Sequence, residues 1–174
     1  MRKLLAVLAG TLVLSNVIWA YLYLSQTPPD PKVSDEAEVK LYTLSGSGHR
    51  WDITGYKILI SPDKIMRGEG KLTYKGEPGE LRDSSYFEMT FRESTPAGGM
   101  EAVFSNEYRS DNGPVSILPN AERMGRIAGP YSDGEADKTK ADYENTVLEV
   151  IWEDEQGQIQ TEFVELNIDD EVIL

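Results

Sequence analysis

After residue 38, apolar and polar residues alternate with a period of two through most of the chain, and helical periodicity is almost absent. Tyr86–Arg92 sets Phe87, Met89 and Phe91 against Tyr86, Glu88, Thr90 and Arg92. Met66–Lys75 sets Met66, Gly68, Gly70, Leu72 and Tyr74 against Arg67, Glu69, Lys71, Thr73 and Lys75. Its two glycines on the apolar side predict room for a bulky neighbour, with Trp51 the candidate. In Trp51–Ile60, Tyr56, Ile58 and Ile60 keep one phase while Trp51 and Ile53 keep the other. Gly55 between them predicts a bulge that brings both groups to one face. Earlier, Val39, Leu41 and Thr43 alternate with Lys40 and Tyr42, and Ser45–Gly48 reads as a turn.

Near the end, Thr146, Leu148, Val150 and Trp152 alternate with Val147, Glu149, Ile151 and Glu153. The loop Asp154–Gly157 then returns the chain to Ile159, Thr161 and Phe163, with Leu166 and Ile168 beyond, which predicts a hairpin. Apolar residues on both faces of Val147–Ile151 mark a central strand. A weaker strand is expected over Glu101–Arg109 and a short run over Val115–Leu118. Together these give seven or eight short strands, an all-β fold. The expected architecture is an antiparallel β-sandwich over residues 38–174, Ig-like in the loose sense, since Trp51 comes early and no cysteine pair exists. Ser94–Gly99 reads as a Pro/Gly loop. Pro119–Asn145 shows no period and reads as a long loop, with one helical turn near Ala121–Met124 capped by Asn120.

A different pattern stands at the other end. Leu4–Leu24 holds 21 residues without a charge, behind Arg2 and Lys3 and ahead of the Pro-rich stretch in residues 25–37. At ~1.5 Å per residue such a helix crosses a ~30 Å hydrocarbon layer. Trp19, Tyr21 and Tyr23 cluster where amphipathic rings favour the headgroup boundary. The reading is a transmembrane signal-anchor over residues 1–24, N-terminus in the cytoplasm by the positive-inside rule, then a semi-rigid linker. A cleaved secretory signal cut after Ala20 is the competing reading. Ala6 and Gly10 form a small-residue pair at helix spacing, a weak pointer to pairing of two anchors.

Charge narrows the function. The chain carries −13, and all 30 acids follow Leu24 with 15 of the 17 Lys and Arg, so the outer part carries −15. That field opposes nucleic acid and anionic lipid, and a nucleic-acid partner is not expected. No cysteine is present, which excludes lipid-modified cysteine anchors, disulfide frameworks, thiol catalysis and Cys-based zinc sites.

The spacing Gly46-x4-Trp51, Tyr56-x-Ile58 and Gly70-x-Leu72-x-Tyr74-x-Gly76 resembles the opening of a group of uncharacterised Gram-positive envelope proteins. Those carry a β-sandwich behind a lipoprotein signal or membrane anchor. The likeness covers Gly46 to Gly76 and departs from that pattern at Ser47 and Gly48. It implies a fold and an extracellular location at the cell membrane, and no activity for individual residues.

Candidates for chemistry are few. His49 is the only histidine and sits with Arg50 in a glycine-rich turn beside Trp51, where a small polar binding spot is conceivable. Serine-nucleophile and phosphate-loop signatures are missing. Glu153, Asp154 and Glu155 form a hairpin tip; Asp169, Asp170 and Glu171 form a second acidic run. Trp51 and Trp152 are candidates to line a groove between two acids, as a glycosidase needs, or to be plain core residues. Asp133, Glu135, Asp137 and Glu144 stand at positions 1, 3, 5 and 12 of a calcium loop, but Lys138 replaces its glycine. The sequence thus points to a non-catalytic interaction module at the envelope, using no cofactor, with an envelope protein or the cell wall as partner. Two alternatives remain: a glycan hydrolase with a carboxylate pair, and a structural accessory subunit of a membrane complex.

Overall fold

A computed structural model describes residues 16, 38–113, 115–122 and 124–174. The proposed anchor over residues 1–24 (Asn16 apart), with its Ala6/Gly10 pair, and the linker over 25–37 lie outside these residues. Among the described residues no helix is long and apolar enough to cross a membrane.

Residues 38–174 form one unit of ten strands, more than the seven or eight expected. They are β1 (Lys40–Ser47), β2 (Trp51–Ser61), β3 (Lys64–Gly68), β4 (Lys71–Tyr74) and β5 (Tyr86–Thr95). β6 (Gly99–Arg109), β7 (Arg126–Gly129), β8 (Val147–Glu153), β9 (Ile159–Glu165) and β10 (Asn167–Ile173) follow. One sheet runs β10-β1-β2-β3-β7 with β4 also on β2; the other runs β6-β5-β8-β9, and every pairing is antiparallel. The two sheets pack face to face through aromatic rings. Tyr56 stacks flat on Phe91 at 3.9 Å, and Trp51 meets Phe87 and Trp152 at 5.8 Å each. Fully burying one large apolar side chain of this kind is worth about 1.5–3 kcal/mol.

The bulge expected at Gly55 is present. Gly55 has φ +71°, and between the Leu44–Tyr56 and Gly46–Ile53 pairs β2 has one residue more than β1. Trp51, Ile53, Tyr56 and Ile58 therefore all point inward. The stretch Met66–Lys75 departs from expectation. It is two strands, because Gly68, Glu69 and Gly70 all take positive φ. β3 pairs with the Lys57–Ser61 half of β2 and β4 with the Trp51–Thr54 half, so the break in one strand faces the bulge in the other. A Cβ at Gly70 would lie 2.9 Å from the Tyr56 backbone nitrogen. The glycines make room for backbone, then, rather than for Trp51. The phase is also reversed in β3, where Arg67 is buried and Met66 is not.

Other expectations shift by smaller amounts. β1 runs through Ser47, leaving Gly48–Arg50 as its turn, and Tyr42 and Leu44 are its inner residues. Ser94–Gly99 shrinks to a hairpin turn at Pro96–Gly98. Phe87, Met89 and Phe91 face the core as expected, and β8 lies between β5 and β9. Ile159, Thr161 and Phe163 share the outer face of β9; Val164 and Leu166 turn inward. After Leu166 the chain changes sheet, and β10 pairs with β1.

Pro119–Asn145 is a structured segment rather than a long loop. It holds part of α1 (Leu118–Ala121), the edge strand β7, a 3-10 turn over Glu135–Asp137 and α2 (Lys140–Glu144). The helical turn starts at Leu118, so Asn120 lies inside it rather than at its start. α2 starts at a capping box that T-x-x-D encodes: the Thr139 N–H donates to the Asp142 carboxylate at 2.7 Å.

Candidate functional site

Two polar centres sit at different ends of the strands. The first is sealed. Arg67 projects from β3 into the interior, where its Nε and Nη2 donate to the two oxygens of Glu93 at 2.7 Å each. Nη2 also reaches Glu135 Oε1 at 2.6 Å. Glu93 continues the inward phase of Phe87, Met89 and Phe91, and is 0% exposed. Lys138, from the segment after β7, adds bonds of 2.9 Å to Glu93 and 2.8 Å to Glu101. The Tyr143 hydroxyl donates to Glu135 at 3.1 Å. Burial pulls the Lys138 pKa down, but Glu101, Glu93 and Glu135 outweigh it and leave it above the ordinary lysine value. Burial pushes the Tyr56 hydroxyl, which has no hydrogen-bond partner, well above its usual range.

Glu135 is thereby committed to Arg67, Tyr143 and Lys138, and the calcium-loop spacing is not realised. Among the described residues no group of three or more His, Asp and Glu side chains is arranged to hold a metal ion, so Asp133, Asp137 and Glu144 are not gathered around one.

The second centre is open. A cleft of about 610 Å³ is lined by His49 and Arg50 from the β1–β2 turn, Tyr74 at the end of β4, and Glu80. Trp152, Asp154, Glu155 and Gln156 enter from the β8–β9 hairpin, and Gln160, Thr161 and Glu162 from β9. Tyr74 and Trp152 are its aromatic lining residues, and both pack on the buried Trp51, at 4.9 and 5.8 Å. Arg50 Nη1 donates to Glu80 at 2.8 Å and to the Tyr74 hydroxyl at 3.3 Å, and that hydroxyl donates to Glu80. Burial and the Glu80 carboxylate push the Tyr74 hydroxyl up to about 12. The Arg50 N–H donates to both oxygens of Glu162, at 3.1 and 2.9 Å. Asp154 closes its own hairpin, accepting from the N–H groups of Gln158 and Gln156 and from the Gln160 amide, which holds it below the usual carboxylate range.

The structure therefore brings His49, Arg50, Trp152, Asp154 and Glu155 together, and adds Tyr74, Glu80, Gln160 and Glu162. Glu153 instead faces Ser85 and accepts from its N–H at 2.7 Å. Asp169, Asp170 and Glu171 lie on β10, where Glu171 takes Lys140 at 2.8 Å. Trp51 is fully buried and stays a core residue.

What fold and site define is an antiparallel two-sheet β protein with a preorganised acidic cleft at one end. No protein-family model, curated protein or solved structure matches the chain.

Proposed function

We propose that the chain is a non-catalytic binding module displayed outside a bacterial cell membrane, engaging an envelope partner through the cleft at His49, Arg50 and the β8–β9 hairpin. One observation carries this reading. Glu80, Asp154 and Glu162 are all held by internal donors, so none stands free as a general acid or base. A hydrolase needs a carboxylate that changes protonation against its substrate. Here Glu80, Asp154 and Glu162 serve as fixed acceptors, which suits recognition.

The location rests on the uncharged Leu4–Leu24 stretch behind Arg2 and Lys3, read as a single-pass anchor with the domain outside. The likeness to Gram-positive envelope proteins over Gly46–Gly76 agrees with that placement. The two face-packed sheets around Trp51 support an Ig-like description in the loose sense. The test is crosslinking and capture from intact cells with the full-length protein. One dominant envelope protein, lost when Asp154–Gly157 is shortened, is the expected result. Retention on purified cell wall alone reassigns the module to glycans. Capture by the N-terminal segment alone would make the chain an accessory subunit.

A further inference from the structure

We infer that the cleft and the free edge of β9 together form a docking site for an extended, basic segment of a partner protein. The inference rests on the binding-module reading and names the chemistry of the partner.

Charge is the first argument. Arg50 is neutralised by Glu80, leaving Asp154, Glu155 and Glu162 in the lining with His49. Carboxylates in one lining with the aromatic Tyr74 and Trp152 suit an ammonium or guanidinium group, which gains charge-assisted hydrogen bonds and the attraction of aromatic rings. The chain's net charge of −13 steers such a cation from a distance.

The edge supplies the second argument. Among the described residues β9 hydrogen-bonds to a strand on one side only, β8, and Gln160, Thr161 and Glu162 of β9 also line the cleft. Natural edges are usually guarded by Pro, Lys or a bulge. β9 reads IQTEFVE, with two acids, no cation, no proline and an unbroken register against β8. Its outward residues Ile159 and Phe163 are 59% and 61% exposed, an apolar pair left in water. An added strand completes both features. Its side chains on the side of Gln160 and Glu162 would be Lys or Arg, and those on the side of Ile159 and Phe163 would be apolar. A free amine would use the cleft and leave the edge bare, so the alternating segment is the occupant that accounts for both.

The test uses full-length protein in detergent micelles and an eight-residue peptide alternating Lys and Val. The control has the same composition with its lysines blocked at one end. Expected are binding of the alternating peptide at least ten-fold tighter than the control and slowed amide exchange in residues 159–163. Thr161→Lys, at an exposed position, should weaken binding ten-fold or more, and Glu155→Gln several-fold. Equal binding of the two peptides, or unchanged exchange in β9, overturns the inference. So does full competition by lysine amide, which assigns the cleft to a small amine, or displacement by wall oligosaccharides. A partner captured from cells that binds the Thr161→Lys protein as well as the unaltered one leaves the binding module standing and removes this docking site.

Discussion

The two polar centres are built from the same parts, an arginine, glutamates and a tyrosine, yet they do opposite work. Glu93 lies beyond Phe87 on β5 by roughly 20 Å of strand, so one centre closes an end of the sandwich and the other opens one. Around Arg67, two sheets and the segment after β7 converge, every charge meets a partner, and the side chain is 7% exposed. Around Arg50, two hairpins and the end of β4 leave a gap of about 610 Å³. The difference is supply of chain. Residues 126–144 cover the first centre, and nothing comparable among the described residues covers the second.

Breaking the sealed centre should have the largest effect. Arg67→Ala leaves the buried Glu93 and Glu135 to share Lys138 alone, and a loss of about 3–5 kcal/mol is expected by urea denaturation. Replacing Arg67 with Met together with Glu93→Leu should cost much less, because the remaining buried charges, Glu135 and Lys138, still face each other at 3.4 Å. The joint between the centres comes next. Gly70→Ala at φ +92° would press a methyl against the Tyr56 backbone, and more than about 1 kcal/mol should be lost in the same assay.

At the open centre stability should hardly move. Arg50→Ala removes a pair that is about a third or more exposed, and a change of about 0–1 kcal/mol is expected, while the released Glu80 carboxylate leaves binding of the alternating Lys/Val peptide undiminished. A separate effect is confined to alkali. The folded state keeps the Tyr74 proton up to about pH 12, whereas the unfolded chain loses it near 10. The stabilisation is complete below pH 10 and disappears as pH rises through 12. Glu80→Gln should move this tyrosine's ultraviolet titration toward lower pH, and an unmoved titration would remove Glu80 from the site.

Local signals in the sequence predicted local structure well. The Gly55 bulge, the inward face of β5 and the β8–β9 hairpin each follow from a few adjacent residues. Arg67 was illegible because its alternation with Glu69 and Lys71 reads as a wetted face, and its partners lie 26 and 68 residues away. A hint was there in Glu93, which continues the phase of Phe87, Met89 and Phe91. Residues 126–129 gave no strand signal, since four residues on an edge need little pattern. Half of the cleft was visible as His49–Arg50 and the acidic hairpin tip. Tyr74, Glu80 and Glu162 were not, as only the packing of separate hairpins joins them.

The pairing of β1 with β10 has a mechanical side. The N–H groups of Val39 and Leu174 each donate to the other's carbonyl, at 3.3 and 2.9 Å, so the two ends of the described domain meet. Tension applied between those ends acts across an antiparallel ladder at its last rung. It would peel β10 away one pair at a time, like a zip, instead of loading the whole ladder in shear. Under force the domain should therefore begin to open at this seam, with the β9 edge still assembled on the other sheet.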